Sequence, residues 1–158
     1  MTENLTVNLK RLDTRVQAEL REFMYDSAER IKELAQLNAP VDNHHVEGSI
    51  EVEVNKFAGI NRAHTVSVGV NKDKLRQYRE AAFGDGYQHF DYDVWLHEAT
   101  YELGPESKDK NDWVRSFHPR AAVGNKFLER AMLVLKPSIE RRAQDHARKV
   151  IEREKAKR

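Results

Sequence analysis

Residues 49–70 read SIEVEVNKFAGINRAHTVSVGV, and the period of this stretch decides the fold. Ile50, Val52 and Val54 alternate with Ser49, Glu51, Glu53 and Asn55. Val66, Val68 and Val70 alternate with Thr65, Ser67 and Gly69. Successive side chains of a strand point to opposite faces, so each run carries one apolar and one polar face. That pattern predicts two antiparallel strands covered on one side only. AGINRA, from Ala58 to Ala63, supplies the hairpin loop between them.

On the N-terminal side the period changes. Leu9, Leu12, Val16, Leu20, Phe23, Ile31 and Leu34 recur at helical spacing, with charges filling the other face. An amphipathic helix is expected from Asn8 to about Leu37. Asn38 and Pro40 end it, because proline disfavours helical geometry in the residue before it. On the C-terminal side, Asp91 to Leu96 predicts a third strand, with Tyr92, Val94 and Leu96 on one face and Trp95 and His97 on the other. FGDGY (83–87) and GPESKDKND (104–112) read as exposed, mobile loops. From about Ala121 a second long helix is expected to bury Phe127, Leu128, Ala131, Met132 and Leu135 and to kink at Pro137. Beyond Ile139 its apolar stripe thins to Ala143, Ala147, Val150 and Ile151. From Lys136 to Arg158 there are nine Lys or Arg against four Asp or Glu.

The expected architecture is α+β: a long N-terminal helix, an antiparallel β-sheet of three to four strands and a long C-terminal helix. Residues 1–139 form a single domain in this reading, and 140–158 form a charged helical extension.

Composition narrows the chemistry. The chain has 158 residues, a mean hydropathy of -0.80 and a net charge of +1. That charge supplies no whole-molecule field for nucleic acid or an anionic membrane. No apolar run approaches the roughly 20 residues that span a bilayer. MTENLTVNLK at the N-terminus lacks the basic-then-apolar build of a signal peptide. There are no cysteines, which excludes disulfides, thiolate metal sites and a thiol nucleophile.

Seven histidines invite a search for catalysis or metal. His44 and His45, with Asp42 as a third ligand, are adjacent in a predicted turn, and adjacent side chains rarely converge on one ion. His97-Glu98 begins like the zincin motif HExxH, but position 101 is Tyr. No G-x-S-x-G or phosphate-binding glycine loop occurs. Asp91, Asp93, Glu98 and Glu102 form an acidic group that a hydrolase would use with His97, although a solvated edge explains them as well. The expectation is a non-enzyme without cofactor or metal. The basic C-terminal segment suggests either nucleic-acid contact or a salt-bridged helix face, and it carries no aromatic residue to stack on bases. Trp95, Tyr92, Tyr101, Trp113 and Phe117 crowd into one stretch, as in an interface or a small aromatic core.

Three short motifs point further. Ala39-Pro40-Val41-Asp42 followed by Gly48-Ser49-Ile50 resembles the A-P-[VR]-D-T-G-x-L-x-x-S-I signature of a family of neck proteins from long-tailed bacteriophages. These are the head–tail joining, tail-completion or minor tail proteins. The run from Tyr92 to Pro105, YDVWLHEATYELGP, is similar to the family's Y-A-x-x-V/H-E-x-G-T segment. Gly124 to Ala131, GNKFLERA, is similar to its P-F-L-x-x-A opening of the last helix. The motifs fall in family order. Asn43-His44 stands where the family has Thr-Gly, and Ala99 replaces a glycine.

The resemblance implies a structural virion protein of the neck, assembled in the host cytoplasm. It would form a ring, six-fold by analogy with tail tubes, between the capsid connector and the tail terminator or tail tube, near genomic DNA in the channel and away from any membrane. Its motif and interface candidates are Pro40, Asp42, Ser49, Tyr92, Trp95, His97, Glu98, Thr100, Tyr101, Phe127 and Leu128. A tail-terminator ring is the sibling reading, and a small nucleic-acid-binding regulator is the reading of a different class.

Overall fold

The computed structural model describes residues 2–8, 14–41, 45–56, 63–83 and 92–156. The chain runs β1 (Thr2–Asn8), α1 (Thr14–Asn38), α2 (His45–Ser49), β2 (Ile50–Lys56), β3 (Ala63–Val70), α3 (Lys72–Phe83), α4 (Tyr92–Glu98), α5 (Pro105–Phe117) and α6 (Phe127–Lys155). It is an α+β fold with long N- and C-terminal helices.

The alternating stretch forms the antiparallel pair. Ile50 faces Val70, Val52 faces Val68 and Val54 faces Val66 across β2 and β3. Ile50, Val66 and Val68 are buried. β1 pairs antiparallel with the other side of β3, so the order is β1-β3-β2 and β2 is an edge. Helix α1 covers the apolar face. Its Met24, Ala28, Ile31, Leu34 and Ala35 are all buried at three- and four-residue spacing, the stripe a 3.6-residue repeat produces. Ala39 donates to the Ala35 carbonyl, and Pro40 follows the last turn.

Several expectations are corrected. The strand expected at Asp91–Leu96 is helical from Tyr92 to Glu98. Asp93, Leu96 and His97 are buried while Val94 and Trp95 are exposed. That is an i, i+3, i+4 pattern, and the apparent alternation was too short to outweigh it. The sheet's further strand is β1, not this segment. The polar loop expected over 104–112 is the start of α5. Pro105 sits in its first turn, where a missing N–H costs nothing, with Glu106 beside it. Ser107 and Val114 are the residues this helix buries. Helix α3 was not foreseen, because among its described side chains Leu75 alone joins the core. Asn71 starts it, its Oδ1 accepting the Lys74 N–H at 3.0 Å.

Other boundaries shift. The first helix begins at Thr14, since Asn8 still belongs to β1. The last helix begins at Phe127, since 121–126 is a turn containing Gly124 at φ 142° and Lys126 at φ 53°. Pro137 lies within α6 on its exposed side. Ser49 ends α2 and does not open the strand; its Oγ donates to the Val46 carbonyl at 2.9 Å. Asp42, the centre of the AGINRA hairpin and Gly84-Asp85-Gly86 lie outside the described residues.

The segment from Glu140 onward continues α6 along α1. The His146 ring stacks on Phe23 at 6.0 Å, and the Arg142 guanidinium lies 5.4 Å from the same ring. Arg153 reaches Glu19 with two bonds, at 2.7 and 3.1 Å.

Candidate functional site

The three motif stretches lie far apart in sequence and converge at one junction. Helix α1 ends there with Asn38, Ala39 and Pro40 all buried. The turn 121–126 ties two helix ends together. Gly124 donates to the Asn38 carbonyl at 2.9 Å, and Lys126 donates to the His97 carbonyl at 2.6 Å. The Asn125 side-chain amide adds a bond to the Ala99 carbonyl at 3.1 Å, and Arg130 holds that amide by its oxygen at 2.7 Å. The positive φ angles at Gly124 and Lys126 let the chain turn its N–H groups toward both partners.

Helix α5 closes the same junction. The Val41 N–H donates to Ser107 Oγ at 2.9 Å, and the Val123 N–H to Asn111 Oδ1 at 3.0 Å. Lys110 Nζ donates to the Gln36 and Ala39 carbonyls at 2.8 and 2.9 Å and to Glu47 Oε2 at 3.1 Å. It thus satisfies carbonyls that the end of α1 leaves open. Burial pushes the Lys110 ammonium below its ordinary pKa, and Glu47 opposes that shift.

His97 is only 1% exposed. Its ring meets Phe127 edge-on, with centroids 5.1 Å apart, and Nδ1 lies 2.9 Å from Glu98 Oε1. Among the described residues neither its Nε2 nor the side-chain amide of Asn38 has a hydrogen-bond partner. Tyr101 donates to the Leu96 carbonyl at 3.1 Å and stacks on Trp95 at 5.4 Å. Burial raises its phenol to about 12.

The candidates of the sequence therefore separate into two sets. Pro40, Ser49, His97, Phe127 and Leu128 are packing residues. Trp95, Glu98 and Thr100 are exposed, with Tyr101 half-buried between the sets. Tyr92 opens α4, and Asp42 lies outside the described residues. Sequence reasoning missed Ser107 and Lys110 because it read their helix as a loop; the Ser107–Val114 spacing of two helical turns was the available signal. Trp113 and Phe117, noted for their aromatic character, pack edge to face at 4.6 Å and stay 59% and 45% exposed.

Among the described residues, the acidic group is divided between the interior and the surface. Asp93 is buried with Lys72 Nζ 3.8 Å away, whereas Glu98 and Glu102 are exposed and Asp91 is outside the described residues. Among the described residues there is no cluster of three His, Cys, Asp or Glu fit for a metal, and no helix long and apolar enough to cross a membrane. On the sheet's polar face Glu51 accepts from Asn71 and Lys74, both at 2.8 Å, which holds its carboxyl below the ordinary range. The junction's chemistry is that of a rigid joint with aromatic groups on its outer surface.

Compared with known protein families, curated proteins and solved structures, the chain has no significant match.

Proposed function

We propose that this chain is a structural virion protein of a tailed bacteriophage neck, a tail-completion or head–tail connector subunit that joins the capsid connector to the tail as a ring. The observation that carries the reading is the convergence of the three motif stretches on one junction. Residues 38–41, 97–107 and 123–130 bond to one another through the turn at Gly124–Lys126 and through α5. Segments that resemble a family's signature in order, and that also build one joint, have a common structural reason to occur together. The motif residues pack and position. Among the described residues no three His, Cys, Asp or Glu side chains group as a ligand set.

Two further features favour an assembly role. The sheet ends at β2, and an edge strand offers its unpaired backbone groups to another chain. Large aromatic side chains at α4 and α5 stand in water, where a partner would cover them. The nucleic-acid reading is weakened by the inward use of Arg142 against Phe23 and of Arg153 against Glu19. Six-fold symmetry and the choice between tail completion and tail terminator belong to the same proposal.

The test is deletion of the coding sequence in a phage that carries it. The neck reading predicts full heads and complete tails that remain unjoined, rescued by the chain supplied in trans. Joined, infectious particles from the deletion strain would contradict it.

A further inference from the structure

Helix α5 has a face that is exposed to solvent. Glu106, Asp109, Trp113 and Phe117 recur at three- and four-residue spacing along one side of it, apart from the buried Ser107 and Val114. All four are exposed, and among the described residues neither Glu106 nor Asp109 has an ion-pair partner. The stripe is acidic toward the start of the helix and aromatic toward its end.

Helix α6 carries a complementary stripe. Its Ile139, Arg142 and His146 turn toward α1, and on the opposite side lie Gln144, Arg148 and Ile151. Ile151 is 54% exposed, and Arg148, also exposed, has no ion-pair partner among the described residues. Here a cation precedes an apolar residue by three positions, about 4.5 Å of helix rise. On α5 the anion Asp109 precedes Trp113 by four, about 6 Å. Laid side by side in the same direction, the helices set Arg148 against Asp109 while Ile151 meets the Trp113 ring.

We propose that the α5 stripe Glu106–Asp109–Trp113–Phe117 docks the outer α6 stripe Arg148–Ile151 of a second copy of this chain. The two patches differ, so each subunit offers one and receives the other. A contact of this heterologous kind propagates head to tail and closes when its rotation divides a full turn. Opposite charges fix the register of one patch on the other, and an exposed Trp beside a Phe is the kind of anchor that dominates interface energetics; both argue for this occupant. The inference rests on the ring reading and names its subunit contact.

The absence of cysteine gives a clean test. The full chain carrying Glu106→Cys and Gln144→Cys, which the same alignment sets side by side and which leaves Asp109, Trp113, Arg148 and Ile151 in place, is held at about 1 mM with a mild copper oxidant and run on a non-reducing gel. Both sites are exposed, and circular dichroism checks that the variants stay folded. The expected result is a ladder of covalent dimers, trimers and larger species, whereas either single variant stays monomeric. Adding Asp109→Arg should cut the ladder about tenfold, one opposed charge pair's worth of coupling, and adding Arg148→Asp to that variant should restore it. No ladder, a ladder indifferent to the charge changes, or equal dimers from one single variant would overturn the proposal. The deletion phenotype is scored separately. Unjoined heads without a ladder defeat this contact alone, and a ladder with normal deletion particles defeats the neck reading alone.

Discussion

Lys110→Met isolates the clasp at the end of α1. The substitution keeps most of the aliphatic stem and removes the ammonium, so its effect reports on three bonds, one of them the ion pair with Glu47. Lys110 is 12% exposed at its side chain and Glu47 is 26% exposed, so the pair is largely shielded from water. Removing one partner of a buried pair costs about 3–5 kcal/mol, because the other charge and the freed carbonyls stay behind. Two considerations reduce that figure. Glu47 retains some solvent, and the lowered pKa of Lys110 says its acceptors do not fully offset desolvation. The expected loss is about 2 kcal/mol, or roughly 4–8 °C in Tm for a domain of this size. Urea denaturation followed by circular dichroism gives the first number and calorimetry the second. Glu47→Gln alone should cost less, since the two carbonyls still hold the ammonium. The double variant should fall short of the sum by about 1 kcal/mol. A Lys110→Met protein within about 0.5 kcal/mol of the parent would refute the clasp, since surface changes ordinarily fall in that range.

The remaining predictions are shorter. Phe127→Ala removes a wholly buried ring against which His97 packs, and should cost about 3–5 kcal/mol in the same denaturation experiment. Truncation after Ile151 removes the Arg153–Glu19 pair, which is about a third exposed, and should lower stability by only about 0.5–1 kcal/mol. Tyr101 ionises near 12 when folded and near 10 when unfolded, so above about pH 10 the unfolded chain holds fewer protons and stability falls as pH rises. A Tyr101→Phe variant should show a shallower alkaline decline, read as Tm against pH from 9 to 11.5.

What could be read from sequence followed from how much of each element is buried. The strands at 50–54 and 66–70 were legible because Ile50, Val66 and Val68 are buried on the face that α1 covers while Glu51 and Glu53 fall on the other, although Val54 is exposed and Ser67 is buried. Helix α1 was legible because its apolar stripe persists through the core from Met24 to Ala35. The segment at 92–98 misled because a two-turn helix half-exposed to solvent places Tyr, Val and Leu at alternating positions by chance. Helix α5 was hidden by its charge: of the residues 105–112, Ser107 alone is fully buried. Its identity lay in Pro105 at the first turn and in Val114, seven residues beyond Ser107.

The site divides in the same way. His97, Phe127 and Leu128 stood out through motif resemblance, and the structure places them at the junction with Pro40. Lys110 could not be found, because its role depends on carbonyls at Gln36 and Ala39 more than 70 residues earlier in the chain. Asn38 reads as a helix terminator in the sequence, and nothing there signals that its side chain is fully buried.

The central claim, a subunit of the phage neck, is tested most directly by electron cryomicroscopy of the neck in particles that encode this chain. The account predicts a closed ring between connector and tail tube into which α1, α6 and the β1-β3-β2 sheet fit as one rigid body. Neighbouring copies would meet through α5 and the outer face of α6. A neck map fully explained by other chains, with no density of this shape, would contradict it.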